Sequence, residues 1–214
     1  MDEEITIINT KTRNEKIKNF FIENKKILLV VSIFLILILI SFNVFKIYKD
    51  SQREKLSNKY NNAIIKFKNS ENSETILSLN EIIEAEDSTY SPLALYFLID
   101  NNLIEDKAEI NNLFDILIEK TSLEKEVKNL IIYKKALYNA DTSGENELLN
   151  ILNPLINSKS VWKSHALYLM AEFFYSKNEK EKSREFFTKI ITSENANADL
   201  SREAQKRLNR DLSE

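Results

Sequence analysis

The stretch ILLVVSIFLILILISFNVF, from Ile27 to Phe45, decides how the rest of the chain is organised. Sixteen of its nineteen residues are Ile, Leu, Val or Phe, none is charged, and the polar exceptions are Ser32, Ser41 and Asn43. As an α-helix rising about 1.5 Å per residue, the run is ~29 Å long, which matches the hydrocarbon thickness of a bilayer. Ser and Asn side chains can form hydrogen bonds within their own helix, so they do not prevent insertion. The sequence therefore predicts a single transmembrane helix over residues 27–47.

Two other kinds of segment share part of this pattern: a buried core helix and a cleavable signal peptide. A signal peptide has an apolar region of about 7–15 residues and a small-residue cleavage site. The run here is longer, and it continues into Phe42-Asn43-Val44-Phe45-Lys46 without an Ala-x-Ala pattern. We therefore expect the segment to stay attached as an anchor.

The orientation of the anchor is only weakly indicated by charge. Basic residues near a span favour the cytoplasmic side, and acidic residues count for little. Six basic residues precede the run and five follow it in a comparable stretch: Lys11, Arg13, Lys16, Lys18, Lys25 and Lys26 before, and Lys46, Lys49, Arg53, Lys55 and Lys59 after. We expect residues 1–26 to form a cytoplasmic tail, and a domain that faces the cytoplasm instead stays open as the alternative.

The composition excludes several classes of function. The chain has one Gly, two Pro, one His and no Cys, so glycine phosphate loops, disulfides, thiolate metal sites and cysteine nucleophiles lack their residues. Removing the tail (+1) and Lys46 (+1) from the net charge of −3 leaves −5 for residues 48–214, which disfavours a nucleic-acid partner. We expect no enzyme, with no catalytic, cofactor-binding or metal-binding residues, and His165 as an ordinary structural or surface residue. An enzyme would have to rely on carboxylate, Lys or Tyr chemistry.

Residues 48–214 are predicted to be helical throughout, because apolar residues recur there at helical spacing. Ser91-Pro92 is typical of a helix start, Gly144 lies in a predicted loop, and Pro154 should end or kink its helix. The stripes that define the helices are Leu56/Tyr60/Ala63/Phe67, Ile76/Leu79/Ile82/Ile83, Leu95/Leu98/Ile99, Ile110/Leu113/Phe114/Leu117, Val127/Leu130/Ile131, Leu148/Leu152/Leu155, Leu167/Met170/Ala171/Phe174, Phe186/Phe187/Ile190/Ile191 and Leu200/Ala204/Leu208. The fold class is all-α, with short connections between antiparallel neighbours.

Helix pairs that start near positions 92, 123 and 161 are 31 and 38 residues apart, close to the 34-residue period of tetratricopeptide repeats. The last pair carries the repeat pattern most clearly, at Ala166, Met170, Ala171, Phe174, Asn178, Ser183, Phe187 and Ile190. Small residues at 171 and 183 would let two helices approach closely, and Asn178 tolerates a left-handed turn. We predict a tetratricopeptide-like hairpin solenoid over residues 48–214, the alternative being ordinary α-hairpins with chance spacing.

Several short motifs, in order along the chain, resemble those of one family. Phe20-Phe21-Ile22-Glu23-Asn24-Lys25-Lys26 precedes the apolar run, Tyr60-Asn61-Asn62-Ala63 and Thr89-Tyr90-Ser91-Pro92-Leu93-Ala94 follow it, and Trp162 precedes the last repeat. In this the chain resembles the ancillary subunit of the bacterial Sec translocon, a single-span inner-membrane protein with a periplasmic tetratricopeptide-like domain.

The resemblance implies a protein-binding scaffold in the bacterial inner (plasma) membrane, with its N-terminus cytoplasmic and its C-terminal domain periplasmic. The implied partners are the Sec translocon, a membrane-anchored periplasmic prolyl isomerase chaperone and newly translocated client proteins. A solenoid of this kind binds through its concave surface, for which we nominate Tyr133, Tyr168 and Glu172.

Overall fold

The computed structural model describes residues 18–194 and 196–213, and the regular structure in these ranges is entirely helical. Residues 1–17, most of the predicted tail, lie outside them. The chain divides into two compact units, Met1–Lys55 and Leu56–Glu214. The all-α prediction is confirmed for the described residues.

Ten α-helices and one π-helical segment follow one another along the described ranges. The first unit contains α1 (residues 18–23) and most of α2 (Lys25–Lys68), and the second unit begins within α2. The remaining elements are α3 (Asn72–Glu84), α4 (Tyr90–Asp100), α5 (Lys107–Asp115), the π-segment (Ile116–Lys120), α6 (Lys125–Asn139), α7 (Glu145–Ile156), α8 (Lys163–Ser176), α9 (Lys180–Ile191) and α10 (Ala198–Asp211).

The second unit is held by two apolar clusters that meet at α6. One joins the last turns of α2 to α3, α4, α5 and the π-segment, and includes the buried Ile131 of α6. The other joins α6 through α10 and includes the next residue, Ile132. Because neighbouring positions on a helix point about 100° apart, α6 contributes to both clusters and makes the core continuous.

The closest helix neighbours are α8 with α9, α3 with α4, α9 with α10, and α6 with α7. The helices α4, α6 and α8 start at residues 90, 125 and 163, so the starts are 35 and 38 residues apart. The predicted pairs at 123 and 161 are present. The predicted pair at 92 is different, because α4 packs mainly against the preceding α3 and only lightly against α5.

Four helices end on a residue other than Gly in the left-handed conformation. These residues are Ser70, Glu86, Asn102 and Asn178, with φ of 65°, 55°, 49° and 62°. At Asn178 the backbone N–H bonds to Tyr175 O at 3.0 Å, and the next N–H reaches Phe174 O at 2.9 Å. This is the Schellman arrangement, which satisfies carbonyls at a helix end. The left-handed turn predicted at Asn178 is confirmed.

The predicted role of Ser91 as a helix cap is wrong. Its side chain is fully buried within α4, and its hydroxyl donates to Ile82 O, 2.8 Å away at the end of α3. The Asp87 carboxylate accepts instead from the backbone N–H groups of Thr89 and Tyr90, at 2.9 and 2.8 Å. A carboxylate at this position also interacts favourably with the dipole of α4.

The two other turn signals behave as predicted. Pro154 lies in the last turn of α7, which ends two residues later. Gly144 is the N-cap residue of the same helix, with φ −76° and ψ 166°. A Cβ built on Gly144 would meet no atom within 4 Å, so this backbone does not require glycine.

Candidate functional site

The apolar run in α2 has the most unusual surface of the described residues. Its large apolar residues keep between 47% (Val31) and 67% (Phe42) of their area exposed, with only Leu28 half-buried, whereas core residues such as Leu79 expose 0%. The most apolar window has a mean hydropathy of 3.0 and no buried residue. α2 is thus one helix long and apolar enough to cross a membrane. A buried core helix does not describe this segment, whereas a membrane span or a signal sequence does.

The polar residues of the run are compatible with an apolar solvent. The side-chain N–H of Asn43 donates to Leu39 O, one turn earlier, at 2.9 Å. This is the local hydrogen bond expected from the sequence. It satisfies one of the two N–H groups of the carboxamide.

The residues predicted to form the last repeat pack as that pattern requires. Ala171 and Ser183 are fully buried where α8 meets α9, and Phe174 and Phe187 are buried beside them. Phe174 also lies 5.4 Å from Phe186, ring centroid to centroid. Small residues at the contact and aromatic rings around it allow the close approach of the two helices.

An aromatic cluster joins α6 to the start of α8. The Trp162 ring stacks on Tyr133, with centroids 5.7 Å apart, and His165 lies 5.0 Å from Trp162. The indole N–H donates to Glu126 O at 3.2 Å. Partial burial raises the pKa of Tyr133. The sequence singled out all three residues separately and predicted no contact among them.

The Glu126 carboxylate holds the loop before α8 in place. It accepts from the Ser160 hydroxyl at 2.7 Å and from the Asn129 amide at 3.4 Å. The pKa of Glu126 is lowered, first by the Ser160 hydrogen bond and then by those from Asn129 and the Val161 backbone. The Ser160 hydroxyl also accepts from the Trp162 backbone N–H at 3.1 Å. Glu126 therefore holds the Trp162 indole through its backbone carbonyl and the Trp162 backbone through its carboxylate and Ser160.

Two of the three nominated surface residues contact the last two helices, Glu172 at α10 and Tyr168 at α9. The carboxylate of Glu172 accepts from Arg207 of α10 at 3.0 Å. Arg207 is only 14% exposed in its side chain, pairs with Asp211 at 2.7 Å and lies over the Tyr175 ring at 4.4 Å. Tyr168 packs edge-to-face on the Phe187 ring, with ring centroids 5.4 Å apart. The pKa of Tyr168 is raised, and burial of its hydroxyl is the largest cause. Glu172 thus anchors α10, and Tyr133 belongs to the aromatic cluster.

A groove of about 290 Å³ lies between the π-segment, α6 and α7. Ile118, Ile132, Ile151 and Pro154 provide its apolar walls, along with Asn150 and the charged pair Asp115 and Lys135, 2.6 Å apart. The π-segment is absent from the predicted elements, because its apolar spacing continues that of α5. Its wider turn is closed by the Thr121 N–H, which bonds to Ile116 O at 3.1 Å.

Within residues 18–194 and 196–213, no group of three or more His, Asp or Glu side chains could hold a metal ion. His165 lies in the aromatic cluster, and its Nδ1 is buried without a hydrogen-bond partner. Comparison of the chain with protein families, curated proteins and solved structures found no match.

Proposed function

We propose that the chain is a membrane-anchored scaffold for protein–protein interaction, with a tetratricopeptide-like hairpin domain carried by a single span over residues 27–47. The observation that supports this is the exposed apolar surface of α2. A helix that is apolar on all sides needs either a protein core or a lipid environment, and the described residues offer it no core. Residues 48–214 carry the interaction, and no catalytic or cofactor role is proposed for any residue.

The proposed partners follow from the resemblance to the ancillary Sec subunit. They are the Sec translocon, a membrane-anchored periplasmic prolyl isomerase chaperone and newly translocated proteins, in the inner membrane of a bacterium. A tether raises the effective concentration of a binding domain near membrane-bound partners. The proposed orientation places the N-terminus in the cytoplasm and residues 48–214 in the periplasm.

The anchor is tested by extraction of membranes with alkaline carbonate. The full chain should stay in the pellet. Sixteen apolar residues favour insertion by at most about 5–10 kcal/mol; replacing two central ones by Arg leaves at most about 4–8 kcal/mol and adds a cost of about 5–7 kcal/mol, which cancels most or all of it. The double variant Ile36→Arg/Leu37→Arg should therefore be released. The matched control Asp50→Arg/Ser51→Arg, outside the apolar run, should stay, and release of the unaltered chain or removal of the segment from the mature protein would refute the anchor.

The partners and the orientation need separate experiments. A C-terminal reporter that is active only outside the cytoplasm should be active. Cross-linking in intact membranes should capture translocon or chaperone components with the full chain and not with residues 1–55 alone. An inactive reporter favours the second candidate, an adaptor for a cytoplasmic complex, which the near-equal numbers of basic residues on the two sides of the span support. Failure to capture any of these components would refute the proposed partners.

A further inference from the structure

The polar side chains of the apolar run are not evenly distributed around α2. At 100° per residue, Ser32 lies about 20° from Asn43, and Ser41 lies about 160° from it. All three residues are helical and exposed. Asn43 and Ser32 therefore share one face, and Ser41 is on the opposite side.

The face that carries Asn43 has a heptad pattern. Leu29, Ile36 and Asn43 are seven residues apart, and Ser32 and Leu39 lie between them at alternating spacings of three and four. This is the a/d spacing of two helices that pack along a left-handed seam. A single Asn at an a position is a known device for specifying register and a two-stranded state.

Asn43 cannot satisfy all its hydrogen-bonding groups within α2. Its bond to Leu39 O uses one N–H, which leaves a second N–H and the carbonyl oxygen. Asn43 is six residues from the centre of residues 27–47, or about 9 Å, inside a hydrocarbon layer of about 15 Å on each side of the midplane. Water does not reach these groups at that depth, so a polar group on a neighbouring helix is their natural partner.

We propose that the span of one chain pairs with the span of a second copy along the face of Leu29, Ser32, Ile36, Leu39 and Asn43, with the two Asn43 carboxamides bonded to each other. The proposal rests on the proposed membrane span. Two copies inserted with the same orientation are parallel and place Asn43 at the same depth. A carboxamide is both donor and acceptor, so the residue is complementary to itself across a two-fold axis. The contact between the two spans ends at Lys46, whose charged side chain can extend to the membrane–water interface.

The test uses the full chain, which has no native Cys. Single Cys variants are oxidised in native membranes and the disulfide-linked dimer is measured. Ile36→Cys and Leu39→Cys, on the proposed face, should cross-link. Phe34→Cys and Ser41→Cys, on the opposite side, should not. Equal cross-linking at all four positions, or none at any, would overturn the pairing.

Energy transfer between labelled copies in phosphatidylethanolamine and phosphatidylglycerol vesicles gives the strength of association. Interhelical bonds of about 1–2 kcal/mol, at about 1.4 kcal/mol per tenfold, predict that Asn43→Leu weakens dimerisation about 5- to 30-fold. Ser41→Leu should leave it unchanged. An Asn43→Leu variant that resists carbonate extraction but dimerises normally refutes the pairing and leaves the span intact. If the unaltered chain is itself released by carbonate, the proposed membrane span fails instead. If the Cys variants cross-link only to a different protein, the face binds another partner and the pairing of two copies is refuted.

Discussion

Replacing Glu86 with glycine should stabilise the protein. Glu86 follows the end of α3 with φ of 55° and an exposed side chain. An L-residue in the left-handed conformation costs about 1–2 kcal/mol, and glycine avoids this cost. Glycine also loses more backbone entropy on folding, by about 0.5–1 kcal/mol. The net gain expected for Glu86→Gly is therefore about 0.5–1 kcal/mol.

The matched control is Glu86→Ala, which removes the charge and keeps the Cβ. Removing a negative charge from the C-terminal end of α3 contributes at most a few tenths of a kcal/mol through the helix dipole. If the backbone conformation is the cause, Glu86→Gly is more stable than Glu86→Ala. Asn178→Gly should gain less than Glu86→Gly, because Asn tolerates the left-handed region better than Glu.

The assay is thermal or urea unfolding of the full chain in detergent, followed by tryptophan fluorescence. Trp162 is the only Trp and stacks on Tyr133 at 5.7 Å, so it reports the second unit and not the apolar run. At about 2–4 °C per kcal/mol for a unit of this size, Glu86→Gly should raise Tm by about 1–4 °C. If Glu86→Gly were no more stable than Glu86→Ala, the left-handed conformation assigned to residue 86 would be wrong.

Three further predictions use the same fluorescence assay. Arg207→Met should destabilise the second unit by about 1–3 kcal/mol, because Asp211 and Glu172 both lose the mostly buried cation with which they pair. The double variant Arg207→Met/Asp211→Asn should recover part of this loss. Gly144→Asp should stabilise it by a few tenths of a kcal/mol, because a cap side chain is gained without a clash; Gly144→Ala, which adds a Cβ and no cap, should be less stable than Gly144→Asp. The lowered pKa of Glu126 contributes stability that is present above its ordinary value of 4.5 and is lost as pH falls through the folded value. The unaltered chain should thus lose more stability on acidification than Glu126→Gln, and parallel pH profiles would show that the Ser160 hydrogen bond does not couple protonation to folding.

The sequence predicted most of the helices because each buries one stripe of apolar residues at helical spacing. It also predicted the small residues and rings between α8 and α9, since these lie at the positions where two helices of a hairpin touch. It predicted the left-handed Asn178 and missed Ser70, Glu86 and Asn102. Nothing in a Ser or Glu side chain favours that conformation, which here is imposed by where the following helix packs.

The contacts between distant parts of the chain were harder to predict. Arg207 has Lys206, Glu203 and Asp211 around it in sequence, a pattern typical of a solvated charged helix face. In the structure it points inward to Glu172, 35 residues away, and spacing along α10 does not encode which charge turns inward. The contact of Tyr133 with Trp162 was missed for the same reason, since it depends on how α6 and α8 pack.

The two parts of the chain show how the surroundings select a helix pattern. α10 buries Ala204 fully, partly covers Leu200 and Leu208, and leaves charged residues on its other side. The apolar run of α2 has no such division, because Phe34 and Leu39, on different sides of the helix, expose 63% and 62% of their side chains. Burying one large apolar side chain is worth about 1.5–3 kcal/mol, so a surface of sixteen such residues in water would be strongly unfavourable. Its cover must come from outside the described residues; the proposed membrane span would supply it with lipid on every side, and the proposed pairing would cover the one face that carries Asn43.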